Sequence, residues 1–197
     1  MVIDIQSRDE EIHRVFDTFD TNKYKRVEKY FGWLPPVWPA YKMNTDGACK
    51  ASSFASAGGL IRDAHGEWIE GFGMNIGMCS ITNAELWGMY QGLILASNKG
   101  IRMLLVEVDS LCVIQSQTLS TNASSSLVNG TGSSSLAIGK FQCIIFLGRP
   151  TFAADFLAIF ALSLPLGLHV LSTLPLGVDV YLRSDSSGAA FPRFVKI

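Results

Sequence analysis

The chain has 197 residues, 48% of them hydrophobic, which suits one domain with extensions and a sizeable core. Its formal net charge of −1 excludes the global basic field that advertises nucleic-acid binding, so any such partner must be held locally. The four cysteines, Cys49, Cys79, Cys112 and Cys143, form no CxxC pair and have no histidine nearby, which argues against a zinc site or a disulfide framework and leaves buried free thiols as the expectation.

The opening MVIDIQSRDEEIHR is too charged for a signal peptide, and an intracellular, reducing location is expected. Lys23, Lys25, Arg26 and Lys29 then form a basic cluster, read as a solvated tail with an auxiliary phosphate contact as the alternative. Pro35, Pro36 and Pro39 disfavour regular structure in FGWLPPVWP, so residues 1–37 are read as a charged leader and linker.

From residue 41 an extended run delivers Asp46 into a turn at Gly47, placing one carboxylate where a strand stops and water can reach it. GGLIRD and EWIEGFGMNIG flank Ala64-His65-Gly66 and predict a β-hairpin with Leu60, Trp68 and Phe72 available to the core. His65 reads as a turn residue. Beyond Thr82, apolar residues recur at 86, 89, 90, 93 and 94, a helical period with Gly100 as its stop. Thr82 and Glu85 have the spacing of a capping box, which gives Glu85 a purely structural explanation.

IRMLLVEVD (101–109) predicts a strand with Glu107 and Asp109 on one face and Val106 and Val108 on the other. Strand, helix, strand implies an α/β sheet with a right-handed crossover, and Asp109, like Asp46, lies at a carboxyl end, where open sheets collect ligands. Residues 110–139 hold no charged side chain and are rich in serine and glycine; a short helix at 111–114 and weak order over 116–135 are expected. Residues 141–146 suit a strand. TFAADFLAIFAL (151–162) suits a mostly buried helix whose lone acid, Asp155, is costly to bury unless paired or metal-bound. Residues 163–197 read as an irregular tail, with His169 packed or exposed rather than catalytic. The apolar stretch 156–168 has 13 residues, short of the roughly 20 that span a bilayer, so no membrane association is expected.

In order, NTDGA, GGLIRDAHGEWIEGFGMNIG, NAELWGMYQGLILA, VEVDS and AADFLA resemble the type-1 ribonuclease H domain, in the plant branch related to reverse-transcriptase elements. The resemblance covers about residues 38–162, with 110–139 as a weakly ordered part, and implies an α/β fold with a mixed five-stranded sheet flanked by helices. It also implies that Asp46, Glu85, Asp109 and Asp155 hold two Mg²⁺ ions, with Mn²⁺ as a substitute. Hard cations prefer oxygen donors, and two ions about 4 Å apart activate a water and stabilise the leaving oxygen of a phosphodiester. The implied partner is an RNA/DNA hybrid whose RNA strand is cut, the 2′-hydroxyls marking that strand. Asn44, Gly47 and Asn83, flanking the acids, are the candidate substrate contacts, and a monomer is expected.

Such proteins usually place a histidine ten residues before the last aspartate; IFLGRPTFAAD has Ile145 there, which implies slow turnover. Asn129-Gly130-Thr131-Gly132 puts two glycines where a helix is usual, each costing about 1 kcal/mol relative to alanine. The alternative function is a catalytically weakened, retroelement-derived remnant that binds nucleic acid. A third is a protein-interaction module built on the apolar tail after residue 162.

Overall fold

The computed structural model describes residues 26–108, 133–138, 141–147, 152–188 and 190–196. Two compact units are distinguished, one from the chain termini (up to Phe31 and from Phe191) and one spanning Gly32–Ala190. In the first, β1 (Arg26–Gly32) pairs with β9 (Ala190–Lys196) in a two-stranded sheet.

The second unit is built on β2 (Tyr41–Cys49), β3 (Phe54–Arg62), β4 (Trp68–Met78), β5 (Met103–Val108), β6 (Ser133–Ile138), β7 (Phe141–Leu147) and β8 (Gly167–Leu171), with helices α1 (Ile81–Asn98), α2 (Phe152–Ala161) and α3 (Val178–Ser186). The strands form one mixed sheet in the order β6-β7-β5-β2-β3-β4-β8. β2 is antiparallel to β3 and parallel to β5, which is in turn parallel to β7. The α/β class and mixed sheet are as expected, but the sheet has seven strands rather than five. One extra strand, β6, pairs antiparallel with β7 from within the serine-rich tract, and the other, β8, pairs with β4 from the tail expected to be irregular. That tail also supplies α3, which buries Val178 and sets the Tyr181 ring 5.6 Å from that of Phe156. The helix expected at 111–114 lies outside the described residues.

Alternation along β2 sends its residues to two different helices. A Cβ on Gly47 would meet Ala84 and Glu85 of α1, and one on Gly92 of α1 would overlap Met43, so residues 43, 45 and 47 face α1. On the other face, a Cβ on Gly58, the partner of Asp46 across β2–β3, would overlap the backbone of Leu157 and Ala158 of α2. Met43, Ile61, Phe72, Met89, Val106 and Ile145 fill the α1 side of the core, while Leu60, Ala153, Ala154, Leu157 and Val178 fill the α2 side.

The helical period of α1 is as predicted, but its contact stripe is made of small residues. Ala84, Gly88, Gly92 and Ala96 are buried at spacing four, whereas Tyr90 and Ile94 are exposed. Small side chains let the helix approach the strands closely. Its end follows the glycine signal: Gly100 has φ +70, its N–H bonds Ser97 O, and Ile101 N bonds Ala96 O, a Schellman motif. Among the described residues no helix is long and apolar enough to cross a membrane.

Candidate functional site

β2 does not stop at Asp46. It runs on to Cys49 against β3, whereas its parallel register with β5 is described from Tyr41↔Leu104 to Asn44↔Glu107. Asp46 therefore sits just beyond the described parallel ladder, which is the strand end that matters for a ligand at a carboxyl edge. The residue is half-buried and its Oδ1 accepts the Gly47 N–H at 2.8 Å.

Glu85 approaches from α1. The capping box expected at Thr82 is not formed, because the helix begins two residues earlier: Ser80 is the N-cap and its Oγ accepts the Asn83 N–H at 3.2 Å. Glu85 is thereby one full turn inside the helix and 8% exposed, so capping does not account for it. A Cβ on Gly47 would stand 2.9 Å from Glu85 N, and one on Gly88 would stand 3.4 Å from Asp46 O. Those two glycines let the first turns of α1 lie directly against the strand beside Asp46. Gly47, expected to touch substrate, thus has a packing role, and Asn83 is half-buried in the first turn of the helix.

Asp155 lies in the first turn of α2 and is half-buried, less deeply than the apolar sequence around it suggested. Ser56 Oγ on β3 donates to Ala158 O at 2.5 Å, and a Cβ on Gly73 of β4 would stand 3.1 Å from Ala161 Cβ. The helix thus crosses from β3 to β4 as it proceeds, and its first turn lies toward β2, on the face shared by Asp46 and Gly58. Asp109 lies outside the described residues. Among the described residues no group of three His, Cys, Asp or Glu side chains is arranged to hold a metal ion.

One pleat repeat before Asp46 on the same face lies a buried polar network that the sequence did not reveal. Asn44, 1% exposed, accepts at Oδ1 from Arg62 Nη2 (2.9 Å) and Trp33 Nε1 (3.1 Å), and its Nδ2 donates to Glu107 Oε2 at 3.0 Å. Lys42 Nζ is 3.3 Å from the same Glu107 oxygen, and Arg62 Nη1 is 2.7 Å from Asp185 Oδ2 of α3. The Arg62 guanidinium also lies 3.6 Å from the centre of the Trp33 ring, a cation–π contact. Burial pushes the Asp185 carboxyl above the usual carboxylate range and lowers Arg62, each partly offset by the other's charge.

This network corrects the expectation that Asn44 contacts substrate: its side chain is inside the protein with both ends of the amide occupied. A buried asparagine two residues before an acid carries no sequence signature that separates it from a surface one. Arg62 is the residue sequence reasoning missed, because GGLIRD reads as a strand running into a polar turn.

Ile145 is 1% exposed in β7, opposite Val106, within the α1 side of the core. His65 is exposed in the β3–β4 turn, and half-buried His169 places Nε2 2.9 Å from Pro165 O. The expectation of uniformly buried thiols holds only for Cys143, since Cys49 is exposed and Cys79 intermediate; Cys112 lies outside the described residues.

A family described as reverse transcriptase-like matches residues 44–145, just over half of the chain. An Arabidopsis thaliana protein named for ribonuclease H is 37% identical over 185 residues, which is 87% of this chain and 28% of that protein, so the chain spans little more than a quarter of its relative's length. Among solved structures, RNase H1 of the archaeon Halobacterium salinarum aligns with a TM-score of 0.48 and 18% identity, covering 62% of this chain and 97% of that one. The N-terminal RNase H domain of a Mycobacterium tuberculosis protein aligns with a TM-score of 0.47 and 19% identity, covering 62% and 93%.

Proposed function

Because the chain belongs to the reverse transcriptase-like family, an RNase H-type domain, we propose that it is a divalent-metal-dependent nuclease that hydrolyses the RNA strand of RNA/DNA hybrids. The observation that carries this reading is the approach of α1 to β2 at Gly47, which brings the backbone of Glu85 against the residue that follows Asp46 and leaves no room for even a methyl group between the two backbones. Glu85 is not a cap, and Asp46 is partly open at the end of the described parallel ladder.

Carboxylate oxygens are the donor type a hard cation such as Mg²⁺ or Mn²⁺ takes, although among the described residues Asp46, Glu85 and Asp155 do not by themselves form a three-ligand group. Asp46, Glu85, Asp109 and Asp155 would hold the ions. Bound there, two cations would lower the pKa of an attacking water and neutralise charge on the leaving oxygen. The chain's own part is to hold the acids on rigid elements: Asp46 on a strand paired on the β3 side, Glu85 on an 18-residue helix, Asp155 on a helix seated against Gly58.

A second reading, a nucleic-acid-binding remnant with weakened catalysis, is favoured by Ile145. This position is in the core, so no proton-handling side chain stands where the resemblance places one; such a group typically contributes about 10² to 10⁴ in rate. Cleavage of a labelled RNA/DNA hybrid in Mg²⁺, with wild type beside Asp46→Asn and Asp109→Asn, separates the readings. Cleavage by wild type that both substitutions abolish supports the nuclease; equal turnover in all three rules out the carboxylate mechanism; hybrid binding without cleavage supports the remnant.

A further inference from the structure

Thirty positions separate Cys49 from Cys79 in the chain, yet the Cys49 Sγ lies 3.9 Å from the Cys79 carbonyl oxygen. We propose that the two form a redox-active dithiol whose closure to a disulfide fastens the end of β2 to the entry of α1. This modification site does not depend on the metal-dependent reading above.

The backbone brings the pair together. Two consecutive carbonyls of the β2–β3 connection hold both cysteine-bearing segments: Phe54 O accepts from Lys50 N at 2.9 Å, and Ser53 O accepts from Cys79 N at 3.1 Å. Alternation continues from residues 43, 45 and 47 to Cys49, turning its side chain to the α1 face, where the chain passes from β4 through Cys79 to the N-cap Ser80. The Cys49 Sγ is also 3.4 Å from Lys50 O, and the Cys79 Sγ donates to Ser80 O at 3.3 Å. Thiols are weak donors, so turning the Cys49 sulfur away from these carbonyls gives up little. The Cys79 sulfur reaches no farther than about 5 Å from its own carbonyl oxygen, which bounds the sulfur–sulfur separation at about 9 Å. A change of χ1 rotamer moves a sulfur by about 3 Å, and residues 49–54 are all exposed, so the two side chains and the turn after Cys49 can close the gap.

Closure needs a two-electron oxidant, here a small-molecule disulfide such as oxidised glutathione. The exposed Cys49, as thiolate, attacks one glutathione sulfur, forming a mixed disulfide and releasing one glutathione. The Cys79 thiolate then displaces the second glutathione from the Cys49 sulfur. Two protein thiols are oxidised, one glutathione disulfide is reduced to two thiols, and the two protein protons pass to the departing glutathione sulfurs. Cys143 takes neither part, being sealed in the core. Because the fold holds the two cysteines close together, the bridge forms more readily in the native chain than in the unfolded one, and by the same factor it stabilises the native state.

The full chain equilibrated in graded glutathione redox buffers, quenched with acid and peptide-mapped by mass spectrometry, tests the proposal, with folding checked by circular dichroism. A Cys49–Cys79 bridge within one chain is expected, its equilibrium constant against glutathione about tenfold or more higher in native buffer than in concentrated urea. Cys79→Ser, or Cys79→Ala should the serine variant not fold, is expected to leave Cys49 carrying glutathione. A wild type that keeps both thiols reduced or keeps glutathione on Cys49 overturns the proposal. So does a bridge from Cys49 to Cys112 or to a second copy of the chain, or an equal constant in urea.

Discussion

Arg62 and Asp185 form a buried ion pair, Nη1 to Oδ2 at 2.7 Å, that fastens α3 to β3 with 1% and 7% of the two side chains exposed. Removing one member leaves the other charge buried without its partner, which typically costs about 3–5 kcal/mol. Asp185→Ala is expected to lose stability in that range, whereas Arg62→Met/Asp185→Leu should recover most of the loss. Urea unfolding of the wild type, both singles and the double gives the coupling; purely additive losses would contradict a direct pair.

The same carboxyl sets a pH dependence. Burial, the larger influence, raises its folded pKa above the ordinary 3.8, with Arg62 pulling the other way. A raised value means that the folded state holds the proton more tightly. The stabilisation from Asp185 is therefore fully present below the unfolded pKa and is lost as pH rises through the folded one. Relative to Asp185→Asn, the wild type should gain stability as pH is lowered from neutrality toward the unfolded value, read as urea midpoints of the two proteins; a relative loss on acidification would reverse the assignment.

Gly58 is where α2 lies on the sheet, and a methyl group there would overlap the backbone of Leu157 and Ala158. Gly58→Ala is expected to cost about 1–3 kcal/mol as an overpacked contact and to lower hybrid cleavage by displacing Asp155. Thermal melts with cleavage assays test both effects, and an unchanged melting temperature would show that the helix gives way freely.

Restoring a histidine at position 145 should not restore activity. Ile145 lies in the α1 side of the core opposite Val106, whereas Asp46 faces α2. Ile145→His is expected to destabilise by about 1–3 kcal/mol, the cost of burying a polar group without its hydrogen bonds, with no gain in cleavage rate. An accelerated variant would place the proton-handling position in β7 after all.

Thiol labelling should divide the cysteines. Burial pushes the Cys143 thiol up to about 12, so at neutral pH it stays protonated and enclosed, whereas Cys49 is exposed. Mass spectrometry after a brief maleimide pulse should find Cys49 modified in the native protein and Cys143 modified only in denaturant.

Local patterns were enough to read much of this fold. The hairpin around His65, the helix ending at Gly100 and the strand at 103–108 follow from glycine turns, period 3.6 and β-branched runs, all of which act over a few residues. The same short range explains the errors. Thr82 and Glu85 match a capping box as well as Ser80 and Asn83 match a simple cap, and which is used depends on where α1 settles against Gly47 and Thr45. β8 shows no comparable pattern because its partner, β4, is far away in the chain, and β6 shows none because half of it is serine, although its partner β7 follows directly.

By itself the sequence determined the α/β class, the family and the acids worth testing, since residue type and order suffice for those. Only the tertiary structure showed that Asn44 is hydrogen-bonded inside the protein, that Lys42 and Arg62 are absorbed by buried carboxylates, and that α1 lies with Glu85 against Gly47. These depend on which face of a strand meets which helix, and burial changes what a polar side chain can do: the same asparagine or arginine would contact solvent or phosphate at a surface, but inside it must be paired with another group of the protein.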